Sequence, residues 1–421
     1  MSKALIAKFL GRTVKQGTLA VSFAGGETMT FGTPAPEFPD VAIRFTDHRV
    51  LRDILLDPRI GAGEAFMDGR LVIEQGDVMA LVQLLRANQP WDRGGELRPP
   101  SLTRKISNFV GSARQSVNGR IGARRNVAHH YDIGNDLYRL MLDADHMQYS
   151  CAYWPRGGMT LDEAQEAKLA HIAAKLALQP GLRVLDIGCG WGGMAIYLAQ
   201  NFDVSVTGIT LSKEQLALAE IRAAEAGVSD DVKFELADYR DLPARGIHYD
   251  RIVSVGMFEH VGRPQFPTFF RCAANLLTDD GVMLLHTIGR MGGPGSTDAF
   301  TRKYIFPGGY IPALSETLAA SEKARLIAAD TEMLRLHYAR TLRQWYARCQ
   351  QHREAIIAMY DQRFFNMWTF YLAGATAAFE SGGMCNYQIQ FTRSRHALPL
   401  TRDYIGTAER ELLSGLTSPP V

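Results

Sequence analysis

"LDIGCGWGG", residues 185–193, decides how the rest of the chain is read. An apolar run, "RVLDIG", enters the stretch and helix-forming sequence leaves it. Gly188, Gly190 and Gly192 let the backbone turn sharply and come close to a ligand, and the helix start beyond them offers unpaired N–H groups to a carboxylate or phosphate. A dinucleotide fingerprint would show GxGxxG and an acid closing the second strand. Here the spacing is GxGxG and the second strand runs into "TGITLSKEQ" (207–215).

Outward from this turn the chain alternates strands and helices. Thr160 and Glu163 form a capping-box pair ahead of a helix with Leu169, Ile172, Ala173 and Leu176 on one face. Strands are expected at "RVLDIG", "VSVTGI", "VKFELAD", "DRIVSV" and "GVMLLHTI", with helices over 192–200, 212–227 and near 265–277. That alternation predicts a parallel, doubly wound α/β sheet with its ligand crevice at the carboxyl ends of the strands. Asp186 ahead of the glycines and "ADYRD" (237–241) after the third strand resemble the S-adenosylmethionine-binding pattern of class I methyltransferases.

Composition narrows the setting. The 421 residues carry a net charge of +2 and an ordinary apolar fraction, as expected of a soluble globular protein long enough for two or three domains. Five widely separated cysteines, with no CxxC pair or Cys/His cluster, argue against a disulfide framework or structural zinc and for a reducing cytoplasm. "MSKALIAKFLGR" does not read as a signal peptide, and no stretch approaches the ~20 apolar residues that cross a bilayer. No metal and no nucleic-acid partner are expected.

The first hundred residues have their own pattern. "TLAVSF" and "TMTF" alternate about "AGG" as a hairpin, "VAIRF" is a further strand, and two short helices begin after Asp47 and Asp77. This predicts a small α+β domain over 1–98, a basic linker over 99–125, and a catalytic domain over 126–421. Residues 99–131 hold six Lys or Arg and no acid. Such a run reads either as a solvated linker or as a segment drawn to an anionic membrane, where each cation is worth ~1 kcal/mol.

Within the catalytic part, "HMQYSCAYW" (146–154) sets Cys151 among aromatics, where a cysteine can be nucleophile, ligand, disulfide half or wall. "YIFPGGYIP" (304–312) reads as part of a lid. "RFFNMWTFYLAGATAAF" (363–379) reads as a helix whose aromatic stripe is either core packing or the wall of an acceptor tunnel. Glu259 and His260 follow the fourth strand, His286 lies near the end of the fifth, and Tyr338 follows in "LHYARTL". Each has an ordinary structural reading: a cap, or a satisfied core histidine. Together they also read as a polar pocket beside a transferable methyl group.

The ordered set "HYDIGNDLYRLMLDADHMQYSCAYW", "LDIGCGWGG", "GITLSKEQ", "EHVG", "GVMLLHTIG", "IFPGGYIP" and "HYARTLRQW" resembles the cyclopropane-fatty-acyl-phospholipid synthases, from about Asn126 to Phe391. The mycolic acid cyclopropane synthases are relatives of those enzymes. "GAGEAFMDG" (61–69) is similar to the N-terminal domain of the longer bacterial members. The resemblance implies a class I, Rossmann-like methyltransferase sheet with helical lid insertions and a small N-terminal α+β domain. It implies methyl transfer from S-adenosylmethionine to a cis double bond of an unsaturated phospholipid, closing a cyclopropane ring. A related outcome is a methyl- or methylene-branched chain.

By the same resemblance Tyr149, Ser150, Asp186, Gly188, Cys189, Gly190, Thr210, Leu211 and Gln215 touch the cofactor, and Asp238 and Tyr239 hold its adenine. Bicarbonate serves as the base, held around Cys151, Glu259, His286, Ile288 and Tyr338, so Cys151 need not be a nucleophile. The implied protein is a peripheral membrane enzyme of the inner face, working as a homodimer. One departure stands out: Ala375 occupies the place of a family cysteine in "YLAGATAAF", and Cys385 follows ten residues later.

Overall fold

The computed structural model describes residues 2–57, 60–95 and 134–414. The basic stretch 99–125, with Arg120, Arg124 and Arg125, lies outside the described residues. Grouped by contacts, the chain forms two compact units. One comprises the described residues of Met1–Arg114 with Ser296–Pro307 and Ala339–Met384; the other comprises those of Gln115–Gly295, Gly308–Tyr338 and Cys385–Val421. Two stretches placed with the catalytic part on sequence, 296–307 and 339–384, thus group with the N-terminal residues.

The first unit contains helix α1 (Ser2–Thr13), strands β1 (Gly17–Ser22), β2 (Thr28–Thr33) and β3 (Asp40–Phe45), helices α2 (Arg49–Leu56) and α3 (Gly61–Met67), strand β4 (Leu71–Gln75) and helix α4 (Val78–Ala87). The strands lie in the order β2-β1-β3-β4. The β1–β2 pair is the antiparallel hairpin read from the alternation, and β1 runs parallel to β3. Leu19, Val21, Val41, Ile43 and Leu84 form its core. Asp77 caps α4, accepting the Ala80 N–H at 2.8 Å, a bond worth about 1 kcal/mol. Helix α14 (Gln362–Glu380) packs against α3 and α4 in this unit. Its Trp368 and Leu372 are fully buried, so the aromatic stripe is core packing.

The second unit is built on helices α5 (Asn135–Met141) and α6 (Leu161–Leu176) and the strands and helices β5 (Leu182–Ile187), α7 (Gly193–Asn201), β6 (Val204–Thr210), α8 (Lys213–Glu225), β7 (Val232–Leu236), β8 (Tyr249–Val255), α9 (Phe266–Leu276) and β9 (Leu277–Arg290). Helix α10 (Ala299–Tyr304) groups with the first unit; α11 (Leu314–Lys323) and β10 (Ile327–Met333) return to the second. Helices α12 (His337–Gln351) and α13 (Arg353–Met359) lead to α14, then β11 (Met384–Thr392) and α15 (Asp403–Ser414) close the described chain.

The large sheet has the order β10-β11-β9-β8-β5-β6-β7. β5 pairs in parallel with both β6 and β8, and β8 with β9. The chain therefore leaves β5 in one direction and resumes at β8 in the other. That is a topological switch point, where an open α/β sheet forms its crevice. β10 and β11 are antiparallel, a departure from the all-parallel reading at the end where a hairpin-like pair closes the sheet.

Helix α6 begins with the expected capping box: Thr160 Oγ1 accepts the Glu163 N–H at 3.2 Å, and Glu163 Oε2 accepts the Thr160 N–H at 2.7 Å. It is not amphipathic in place. Lys168, His171 and Lys175 are as buried as Leu169 and Leu176, because the sheet and the 146–154 segment cover the face that would otherwise meet water. Among the described residues no helix is long and apolar enough to cross a membrane.

Candidate active site

β5 ends at Ile187 and the chain turns at once. Gly188 has φ +86°, and a Cβ there would lie 2.6 Å from the Met257 side chain. Gly190 has φ +55° and its Cβ would meet nothing within 4 Å, so it borders open space. Both N–H groups of Gly188 and Cys189 donate to the Ile209 carbonyl, at 2.9 and 3.0 Å, tying the turn to β6.

That space is a cleft of about 1120 Å³, counted out through its open mouth. Every residue assigned to the cofactor on sequence lines it: Tyr149 and Ser150 from the aromatic loop, Asp186 to Gly190 from the turn, Thr210, Leu211 and Gln215 after β6, and Asp238 and Tyr239 after β7. Met257, His260 and Val261, after β8, complete the wall.

The polar side chains are oriented by identifiable partners. Thr210 Oγ1 donates to Gln215 Oε1 at 2.9 Å, which turns the Gln215 amide so that its NH₂ faces away from that bond. Both oxygens of buried Asp238 accept from Arg240, at 2.8 Å and 2.5 Å, and the guanidinium lies over the Tyr239 ring at 5.5 Å. Arg240 was not anticipated from sequence. An adenine held by Asp238 would share the carboxylate with it.

Asp186 is buried and its Oδ2 has no hydrogen-bond partner. Burial raises its pKa to about 7, against the opposing pull of Lys168. An unpartnered buried carboxylate oxygen costs about 1–3 kcal/mol or more, and a cationic ligand in the cleft would remove that cost. The glycine turn, the open space at Gly190 and this oxygen together fit an amino-acid-bearing cofactor such as S-adenosylmethionine.

Lys168 was also missed. Its Nζ donates to Gln148 Oε1 and, at 3.2 Å, to Ser150 Oγ. Gln165 Nε2, one turn earlier on α6, donates to the Gln148 and Ser150 carbonyls at 3.2 and 3.0 Å. Helix α6 therefore staples the Gln148–Cys151 segment in place from behind. Desolvation lowers the Lys168 pKa to about 8, which leaves it charged at neutral pH.

The five residues expected around an anion are placed as follows. Cys151 is buried, its Sγ 3.3 Å from the Ala152 carbonyl. Burial pushes its thiol far up, with only Lys168 opposing. A buried thiol held neutral in this way presents no thiolate nucleophile.

Glu259 and Ile288 meet directly: the Ile288 N–H donates to Glu259 Oε1 at 2.6 Å. Glu259 Oε2 is buried without a partner, and desolvation raises the pKa to about 7. The Tyr310 N–H donates to the Glu259 carbonyl at 2.9 Å, fixing the 308–312 end of the aromatic loop on this turn.

His286 is buried on β9, on the same side as Ile288 and facing amides of β11. Burial, then the cations Lys168 and Lys175, hold its pKa well below the ordinary imidazole value. Tyr338 is buried at the second residue of α12. Its neighbour His337 accepts the Trp154 N–H on Nδ1 at 2.9 Å. Cys385 lies in an apolar cluster and burial raises its thiol to about 11. Among the described residues no His/Cys/Asp/Glu group could hold a metal ion.

Comparison with known proteins identifies the family of the chain. Residues 119–389 match the family model described as mycolic acid cyclopropane synthetase. The chain is 39% identical over 351 residues to the cyclopropane-fatty-acyl-phospholipid synthase of Escherichia coli (strain K12), covering 83% of this chain and 87% of that one. It is 35% identical over 376 residues to a probable fatty acid methyltransferase of Pseudomonas putida, covering 87% and 91%. A crystal structure of a mycolic acid cyclopropane synthase complexed with SAH and CTAB superposes with a TM-score of 0.60 at 35% identity, covering 64% of this chain and 97% of that one.

Proposed function

The chain belongs to the mycolic acid cyclopropane synthetase family, and from that premise we propose that it methylates a cis double bond of an unsaturated phospholipid acyl chain and closes a cyclopropane ring. S-adenosylmethionine supplies the electrophilic methyl group, and bicarbonate supplies the weak base. The observation that carries this reading is the pair of buried carboxylates, Asp186 and Glu259, each with one oxygen that no protein group satisfies.

The residues divide the work. Asp186 and the glycine turn hold the cofactor, with Thr210, Leu211 and Gln215 on one side and Tyr149, Ser150, Asp238 and Tyr239 on the other. Glu259, pinned by Ile288, directs its free oxygen inward and holds an anion together with Cys151, His286 and Tyr338. Lys168, felt at His286, supplies a positive charge on that side of the proposed anion.

An alkene is a poor nucleophile, and accepting a methyl leaves it a carbocation. The buried walls exclude water that would capture that cation. The proton lost on ring closure is very acidic, so a weak base within reach suffices. The reading extends to a cytoplasmic enzyme that meets the inner membrane face from the side through the basic 99–125 stretch, and that works as a homodimer.

A second reading, formation of a methyl- or methylene-branched chain, is favoured by the fatty acid methyltransferase among the relatives. Lipid mass spectrometry and proton NMR after incubation with monounsaturated phospholipid and cofactor test both. Ring closure adds one CH₂, removes the alkene and gives upfield cyclopropane protons. Added CH₂ without those protons means branching, and no added mass overturns both readings. Omission of carbonate species is the test of the base: undiminished turnover in their absence refutes it.

A further inference from the structure

Behind His286 lies a chain of buried polar groups that the reaction as described does not use. Lys175, near the end of α6, is fully buried. Its Nζ donates to Glu332 Oε2 on β10 and, at 2.8 Å, to Gln388 Oε1 on β11. Glu332 and Gln388 are cross-strand partners. Glu332 Oε2 is also 2.7 Å from His171 Nε2, and His171 Nδ1 is 3.2 Å from Glu409 Oε2. Burial works against the Glu332 carboxyl, but His171 and Lys175 hold its pKa well below the ordinary range. Glu332 is therefore anionic and anchors Lys175.

This anchoring has a consequence two bonds away. An ammonium group only donates, so Gln388 must turn its oxygen to Lys175 and its NH₂ the other way. The Gln388 Nε2 then faces His286 Nδ1, at 3.1 Å, and the ring nitrogen has to accept. The one lone pair of a neutral imidazole is thereby occupied, and the ring proton must sit on Nε2. Nε2 lies 3.4 Å from the Asn386 amide. A proton there can serve one acceptor at a time: the buried, unpartnered Asn386 Oδ1 once that amide turns its oxygen to the ring, or a bound anion in its place.

We propose that Lys175 is a positioning residue that, through Gln388, locks His286 as its Nε2–H tautomer with the remaining lone pair capped, so that the ring is a hydrogen-bond donor and not a base. That the donor serves a bound anion rests on the function proposed above; the lock itself does not. The arrangement gives a physical reason for the site to depend on an external base, since the histidine nearest the end of β9 has no lone pair to offer.

The test is nitrogen-15 NMR of the full chain labelled at histidine, with His286 assigned by the signals lost in His286→Gln. The wild-type ring is expected to show a protonated Nε2 and a bare Nδ1; a proton on Nδ1 overturns the proposal whatever the variants do. Gln388→Glu places an acceptor against Nδ1 and is expected to move the proton there. Lys175→Met releases the amide and is expected to give a mixture of tautomers.

A role limited to packing would leave the tautomer unmoved in both variants, and that result refutes the lock. Gln388→Glu should also lower kcat by about 10–100-fold with the Kd for S-adenosylmethionine unchanged. Turnover that persists without bicarbonate, alongside a wild-type Nε2–H signal, would sink the proposed base and leave the lock standing.

Discussion

The cleft at the carboxyl ends of the strands and the anion pocket proposed above draw on the chain in opposite ways. The cleft is local. Most of its wall is made of short turns that each follow one strand, so Asp186–Gly190, Thr210–Gln215 and Asp238–Arg240 enter as blocks contiguous in sequence, joined by Met147–Ser150 from the aromatic loop. The proposed pocket would instead gather single residues from four separate segments, Cys151, Glu259, His286 with Ile288, and Tyr338, of which Glu259 and Ile288 are in direct contact. Its backing, Lys168, Lys175 and Gln388, comes from still other elements. The difference teaches that a sheet supplies a cleft through its topology, whereas a catalytic pocket has to be held by a long-range polar network.

Disabling one site without the other tests this contrast. The largest effect is expected at the turn. Gly190→Leu puts a side chain into the open cleft at a positive φ, and calorimetry should find the Kd for S-adenosylmethionine weakened by at least about 100-fold. Retained affinity would mean that the ligand does not lie against the turn.

Glu259→Gln should do the converse. The kcat is expected to fall by about 10²–10⁴-fold with cofactor affinity nearly unchanged, since only groups around the base are altered. A loss of binding equal to the loss of rate would show that the two sites are one.

A third measurement addresses both sites together. Burial holds the folded pKa of Asp186 and Glu259 at about 7, whereas the ordinary values are 3.8 and 4.5. Between those limits the folded protein retains protons that the unfolded chain has released. Their contribution to stability is complete at acid pH and is lost as pH rises through about 7. The Tm of the cofactor-free chain should therefore fall from about pH 4 to about pH 7 and level off above it, and Asp186→Asn should remove roughly half of the slope. A flat profile in the wild type would contradict the burial assigned to these carboxyls.

The smallest effect is expected from Arg124→Gln in the basic stretch: about 1 kcal/mol weaker binding to anionic vesicles, abolished at high salt. Unchanged binding would leave 99–125 a linker alone.

The same contrast explains what could be read in advance. The parallel sheet, the capping box at Thr160 and the glycine turn depend on neighbours in sequence, so periodicity and residue type exposed them. The residues that line the cleft came through ordered motifs, as did the five positions proposed around the base. Lys168, His171 and Lys175 did not. At spacings of three and four they look like the wet face of a helix, and only the tertiary cover makes them interior. Arg240 was visible inside "ADYRD" but had no reason to be singled out until its guanidinium lay across Asp238. Likewise "NYQIQF" (386–391) alternates like a strand half in water, yet Asn386, Gln388 and Gln390 are all buried.

Those three amides bear on assembly as well as chemistry. The opposite side of β11 carries Cys385, Tyr387, Ile389 and Phe391 in an aromatic cluster. A slip of one residue would drive the amides into that cluster and set Tyr387 against Lys175. The polar row thus works as a key that fits the last strand in a single register, since any slipped pairing would bury those amides without partners.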